Sequence, residues 1–128
     1  MPSYSSGWKA LQSQEFDPVS LWERVGYDMQ LLRELAEVFA AESPGMVSQI
    51  ESALEQRDPV KLQKASHKLR GAVLQFSAHG AAAAAASLES MGKGSLLEDA
   101  PQALLTLKGE ISSLQDALAT MIREDHLE

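Results

Sequence analysis

The chain has 128 residues, 45% of them apolar, and a formal net charge of −7, a composition suited to one compact domain. The acidic balance argues against nucleic-acid binding, which needs a broad basic footprint, and the absence of cysteine excludes disulfide scaffolds, thiol catalysis and Cys-ligated metal centres. The longest uniform apolar run, Ala81 to Ala86, falls far short of the ~18 residues of a membrane span, and no basic segment leads into an apolar stretch, so a soluble cytoplasmic domain is expected.

Residues 1–16 are polar and rich in small side chains, without a sustained period. They read as a tail or linker, with Trp8 and Leu11 as a short apolar anchor. From there the punctuation is helical. Asp17-Pro18 and Asp58-Pro59 each pair an N-cap acceptor with a proline at the first helical position. Asp28 and Asp99 are also placed to cap, with Pro101 in the first turn that Asp99 would open. Ser43-Pro44-Gly45 and Gly92-Lys93-Gly94 read as breaks.

These signals predict a short helix over 18–25, then helices near 28–42, 45–57, 59–77, 79–92 and 100–124. In the last, Leu104, Leu107, Ile111, Leu114, Leu118 and Met121 alternate steps of three and four, the seam of a bundle helix. Leu31, Leu35, Val38 and Phe39 suggest a similar seam for the second helix, and Met46, Ile50, Ala53 and Leu54 for the third. No stretch alternates with period two over strand length. The expected fold is all-α, an antiparallel up-and-down four-helix bundle over residues 17–124 with an additional short N-terminal helix. Residues 125–128 read as a C-terminal tail, whose last two residues, Leu127-Glu128, have the character of an expression scar.

One residue breaks the pattern. On the helix that starts at Pro59, Leu62, Ala65, Leu69, Ala72 and Phe76 form an apolar stripe, and His67 falls on the opposite side. Gly71 and Leu74 share that outer face, with Lys64, Lys68 and Arg70 around it. Gly71 costs ~1 kcal/mol relative to alanine in a helix interior, yet it leaves space beside the imidazole one turn away. A lone histidine is more often a filler than a functional group, and a charge run is usually just a solvated face. An exposed imidazole, an open glycine and a cationic collar together suit the holding of phosphate.

A tight turn near 77–79 would make the flanking helices an antiparallel hairpin. His67 then lies about 15 Å below the turn, and Glu89 lies about as far beyond it, at the same level. The alanine run between would allow close approach, although helix propensity alone explains it equally well. Glu89 could accept from Nδ1–H of His67, fixing the tautomer and leaving Nε2 as the free nucleophile.

With these residues in view, the sequence resembles a histidine-containing phosphotransfer (HPt) domain of two-component phosphorelays. The run Ser66-His67-Lys68-Leu69-Arg70-Gly71-Ala72 is similar to the family's H-x-L-K-G-S/A signature. Ser87-Leu88-Glu89 falls where the family carries a Leu-Glu or Leu-Gln pair, and LLRELAEVFAAESPGMVSQIESAL resembles the paired helices upstream. The resemblance covers roughly residues 16–122. It implies that His67 is the phosphoacceptor through Nε2, that Glu89 orients Nδ1, and that Arg70, where the family usually has Lys, stabilises the phosphoryl oxygens beside Lys68. Gly71 would keep the approach open on a docking face with Lys64 and Leu74. Two positions depart from the family pattern. Ser77 stands for a common Gly, and Ala81 for a frequent Leu.

The expected function is therefore a phosphorelay carrier, a phosphotransfer intermediate and not an enzyme. No nucleotide-cradling glycine motif is present, and no cofactor or metal site of its own is expected. Mg²⁺ would arrive with the partner, a response-regulator receiver domain, and a hybrid histidine kinase is a further candidate partner. The alternative is a helical interaction module in which His67 is incidental. A carboxylate-bridged metal enzyme would need inward-facing Glu-x-x-His pairs, which the chain lacks.

Overall fold

The computed structural model describes residues 6–125, and among them every regular element is helical. Met1 to Ser5 of the expected tail, His126 and the Leu127-Glu128 pair lie outside the described residues. A 3-10 turn at Ser6–Leu11 precedes α1 (Pro18–Arg24), α2 (Met29–Glu55), α3 (Pro59–Leu74), α4 (His79–Lys93) and α5 (Ala100–Asp125). Helices α2 to α5 each pack against the next, and α5 returns to α2, which closes the four-helix bundle; α1 is the additional short helix.

The start signals act as their chemistry requires. The side chains of Asp17, Asp28 and Asp58 accept from the amides of Ser20, Leu31 and Lys61 at 3.0, 3.1 and 3.0 Å, satisfying amides that the first turn leaves free. Asp99 precedes α5 and accepts through its carbonyl from the Ala103 amide at 3.1 Å. The seam of α5 is buried along its whole length, from Leu104 to Met121.

The expected break at Ser43-Pro44-Gly45 is absent, and α2 runs unbroken through Pro44. An interior proline removes one helical hydrogen bond and crowds the preceding turn, at a cost of about 3 kcal/mol. Here both halves of the helix dock on one core, with Leu32 and Phe39 buried on one side of Pro44 and Ile50 and Ala53 on the other. Buried Ser43 sits between them, its Oγ accepting from Gln115 Nε2 of α5 at 3.3 Å. The first half also turns a different face inward. Leu32 is buried, whereas Leu31 and Val38, expected in the seam, are 38% and 51% exposed.

Two further boundaries differ. Helix α3 ends at Leu74, and the chain reverses through Ser77, whose φ of +53° puts a non-glycine residue in the left-handed region. Gly92, read as part of a break, lies inside α4 and is buried, and Gly94 forms the C-cap.

The segment before α1, read as a tail or linker, packs on the bundle over its described part. Trp8 is buried and meets Trp22 edge-to-face with ring centroids 5.2 Å apart. Leu11 packs partly buried against the core, and Phe16 is buried. Helix α4 has no side-chain N-cap, and the Glu15 carbonyl fills that role, accepting from the Gly80 amide at 2.9 Å. The Asp17 amide donates to the Ser77 carbonyl at 3.2 Å. The N-terminal segment thus ties down the reversal between α3 and α4.

Candidate functional site

The α3–α4 hairpin builds the site. Small residues on α4, with Ala81, Ala82, Ala84 and Ala85 buried, let the two helices lie close. On α3 the buried face centres on Leu62, Ser66, Leu69 and Val73, with Ala65 and Ala72 only half-buried. That face is rotated toward α4 relative to the sequence stripe. His67 lies about 100° from Ser66 on the helical wheel, so it stands at the edge of the helix interface and not directly opposite the core. One side of the ring reaches α4 while the residue stays open to solvent, its side chain 65% exposed.

His67 Nδ1 is 2.9 Å from Oε2 of Glu89, a carboxylate whose residue is only 6% exposed. The two are level on antiparallel helices, as hairpin counting requires. The Arg70 guanidinium grips the same carboxylate, Nε to Oε1 at 3.2 Å, and Lys93 Nζ stands 3.9 Å from Oε2. A buried carboxylate is tolerable when it is paired in this way.

Arg70 Nη2 also lies 3.0 Å from His67 Nδ1. These two contacts cannot both be hydrogen bonds, because a carboxylate only accepts and a guanidinium only donates. A lone pair on Nδ1 would face the Glu89 anion at 2.9 Å. We therefore assign the proton to Nδ1, which donates to Glu89, and Arg70 Nη2 is held nearby by its own pairing with the carboxylate. Nε2 then carries the free lone pair.

The other sequence-predicted residues divide by flank. Arg70 lies on the α4 side, its guanidinium paired with Glu89 and its side chain 35% exposed. Lys64 and Lys68 are exposed on the α2 side, where with Lys61, Val60 and Met46 they line an open groove of about 890 Å³. Gly71 is exposed, and a Cβ added there would meet nothing within 4 Å, so packing does not demand the glycine. Leu74 is 39% exposed, and its carbonyl accepts from Arg24 Nη1 at 3.0 Å. Sequence reasoning missed Lys93, though its spacing of four from Glu89 on one helix face was a usable signal. Among the described residues no group of three or more histidines and carboxylates is positioned to hold a metal ion, and no helix is long and apolar enough to cross a membrane.

Fold and site together define a class of protein, a helical bundle that presents one oriented, solvent-facing imidazole from its central hairpin. The family model of the Hpt domain matches residues 34–117, which include His67, Arg70 and Glu89, and the chain belongs to that family. Hpt domains are phosphocarrier modules of two-component phosphorelays that work with receiver and kinase domains. No curated protein and no solved structure matches the chain.

Proposed function

We propose that this chain carries phosphoryl groups between receiver domains on Nε2 of His67. The observation that carries the reading is the pairing of Nδ1 with buried Glu89 beneath an exposed ring. In the forward step the Nε2 lone pair attacks phosphorus of a receiver's aspartyl phosphate. The N–P bond forms, the P–O bond to the aspartate breaks, and the carboxylate leaves with the electron pair. The product ring holds phosphorus on Nε2 and a proton on Nδ1, and its positive charge faces the Glu89 carboxylate. The return step on a second receiver's aspartate reverses each change.

Such transfer is mostly positioning and charge stabilisation, which a rigid hairpin supplies well. Mg²⁺ would be brought by the receiver. With Arg70 tied to Glu89, the exposed ammonium groups of Lys68 and Lys64 are the nearer reserve of free positive charge on α3. Gly71 and Leu74 offer an uncluttered surface beside the ring for a partner that must leave after each transfer, so a small interface below about 1,200 Å² is expected. Incubation with a panel of phosphorylated receiver domains tests the reading. We expect an acid-labile, alkali-stable label that maps to His67 and disappears in His67→Gln with helical content intact. Label persisting in that variant would overturn the assignment to His67, and failure of every receiver to label the parent would favour an interaction module without transfer.

A further inference from the structure

The contact between His67 and Glu89 depends on how near α4 lies to α3, and beside the buried alanines one glycine admits the α3 backbone itself. Gly92 is buried where the two helices cross. A Cβ built on it would stand 2.7 Å from the Gln63 amide nitrogen, 2.8 Å from the Pro59 carbonyl oxygen and 3.0 Å from Gln63 Cα. All three atoms are α3 backbone, so no side-chain rotation could relieve the clash. Only retreat of one helix from the other would do so. Ordinary packing density alone would not need this. Gly45, Gly71 and Gly109 also sit within helices, and a Cβ at any of them meets nothing within 4 Å.

The crossing has the same register as the site. In an antiparallel hairpin facing residues keep a nearly constant sum of positions, and Gln63 with Gly92 lies one turn from His67 with Glu89 on both helices. Any outward shift of α4 at Gly92 is therefore delivered one turn away to the Glu89 carboxylate. That carboxylate has little slack, with its bond to Nδ1 at 2.9 Å and the Arg70 Nε contact at 3.2 Å.

We propose that Gly92 is a positioning residue for phosphotransfer. By admitting the α3 backbone to van der Waals contact it sets the helix spacing at which Glu89 holds the Nδ1–H tautomer of His67. The inference rests on the phosphocarrier reading for its consequence, but its structural half can be tested without any transfer.

The experiment uses the full chain with Gly109→Ala as host, since a Cβ there meets open space and alanine favours the helix. Gly92→Ala, Glu89→Ala and the double variant are made in this host. Imidazole ¹⁵N signals of His67, recorded where the ring is neutral, report which nitrogen holds the proton. We expect the host to show Nδ1–H and Gly92→Ala to shift toward Nε2–H, as Glu89→Ala does. Transfer from a phosphorylated receiver should slow by roughly ten- to a hundredfold in Gly92→Ala, the scale of a 1 Å misplacement. In the Glu89→Ala background the same change should cost less than about twofold, because its route is already cut. An unchanged tautomer in Gly92→Ala would overturn the proposal, as would an equal slowing in both backgrounds. Loss of the helical signal in this host would overturn it too, since Gly92 would then serve folding and not placement. If no receiver labels the host, the phosphocarrier reading fails, and the tautomer result still decides the role of Gly92.

Discussion

The two flanks of α3 carry similar charges and use them differently. Toward α4 the helices touch at backbone distance, and Arg70 and Lys93 converge on one buried carboxylate beside His67. Toward α2 the helices leave a groove of about 890 Å³, and Lys64 and Lys68 extend into solvent along it. Cations of the first kind are spent within the protein and fix an imidazole. Among the described residues, cations of the second kind have no carboxylate within ion-pair distance and remain available to a visitor. A charge count around a histidine cannot make this distinction, because it depends on which neighbouring helix comes close.

If the comparison is right, the largest loss comes from the tight flank. Glu89→Ala removes orientation and counter-charge together and should slow phosphotransfer by roughly ten- to a hundredfold, whereas Glu89→Gln keeps an acceptor and should retain more. Single-turnover transfer from a phosphorylated receiver measures both, and equal rates for the two variants would remove the acceptor's orienting role from the account and leave only Glu89's charge. Next comes the boundary between the flanks. Gly71→Gln should slow transfer by about tenfold by obstructing approach, with thermal unfolding little changed, because a side chain there meets only solvent. Arg70→Lys keeps a cation but loses the planar fork that grips Glu89, and a reduction of a few-fold is expected, with a weaker Nδ1–H preference. The open flank should matter least at physiological salt. Lys64→Ala with Lys68→Ala should change the rate by less than about threefold there, with a larger deficit at low ionic strength. A salt-independent loss as deep as that of Glu89→Ala would break the comparison.

Much of this was legible before any coordinates. The seam of α5 and the aspartate caps follow from spacing and from local hydrogen bonding, and they need no tertiary information. The level of Glu89 opposite His67 followed from helical rise and one turn position. What resisted reading was whatever required knowing a neighbour. In α2 the buried positions Leu32, Phe39, Ser43, Ile50 and Ala53 follow one another at seven, four, seven and three residues, one helical face from one end to the other. That continuity was present in the sequence, but Leu31 and Val38 drew the phase one residue aside and Pro44 suggested a stop. The core then overrode the local penalty. Gly92 looked like punctuation because glycine often is, and only the α3 backbone beside it reveals close approach instead. The pairing of Arg70 with Glu89 went unread because a wheel of α3 alone does not contain Glu89.

The corner where the N-terminal segment meets α1 has an optical consequence. The chain contains two tryptophans, and Trp8 and Trp22 are in mutual contact there, both buried. Intrinsic indole emission therefore reports on that corner and is blind to the middle of the hairpin. Denaturant titrations followed by emission and by far-ultraviolet dichroism should coincide only if the corner and the bundle unfold in one step. An emission change that comes first would mean that the segment carrying the Glu15 carbonyl can peel away while the helices persist, leaving the first turn of α4 to cap itself with water.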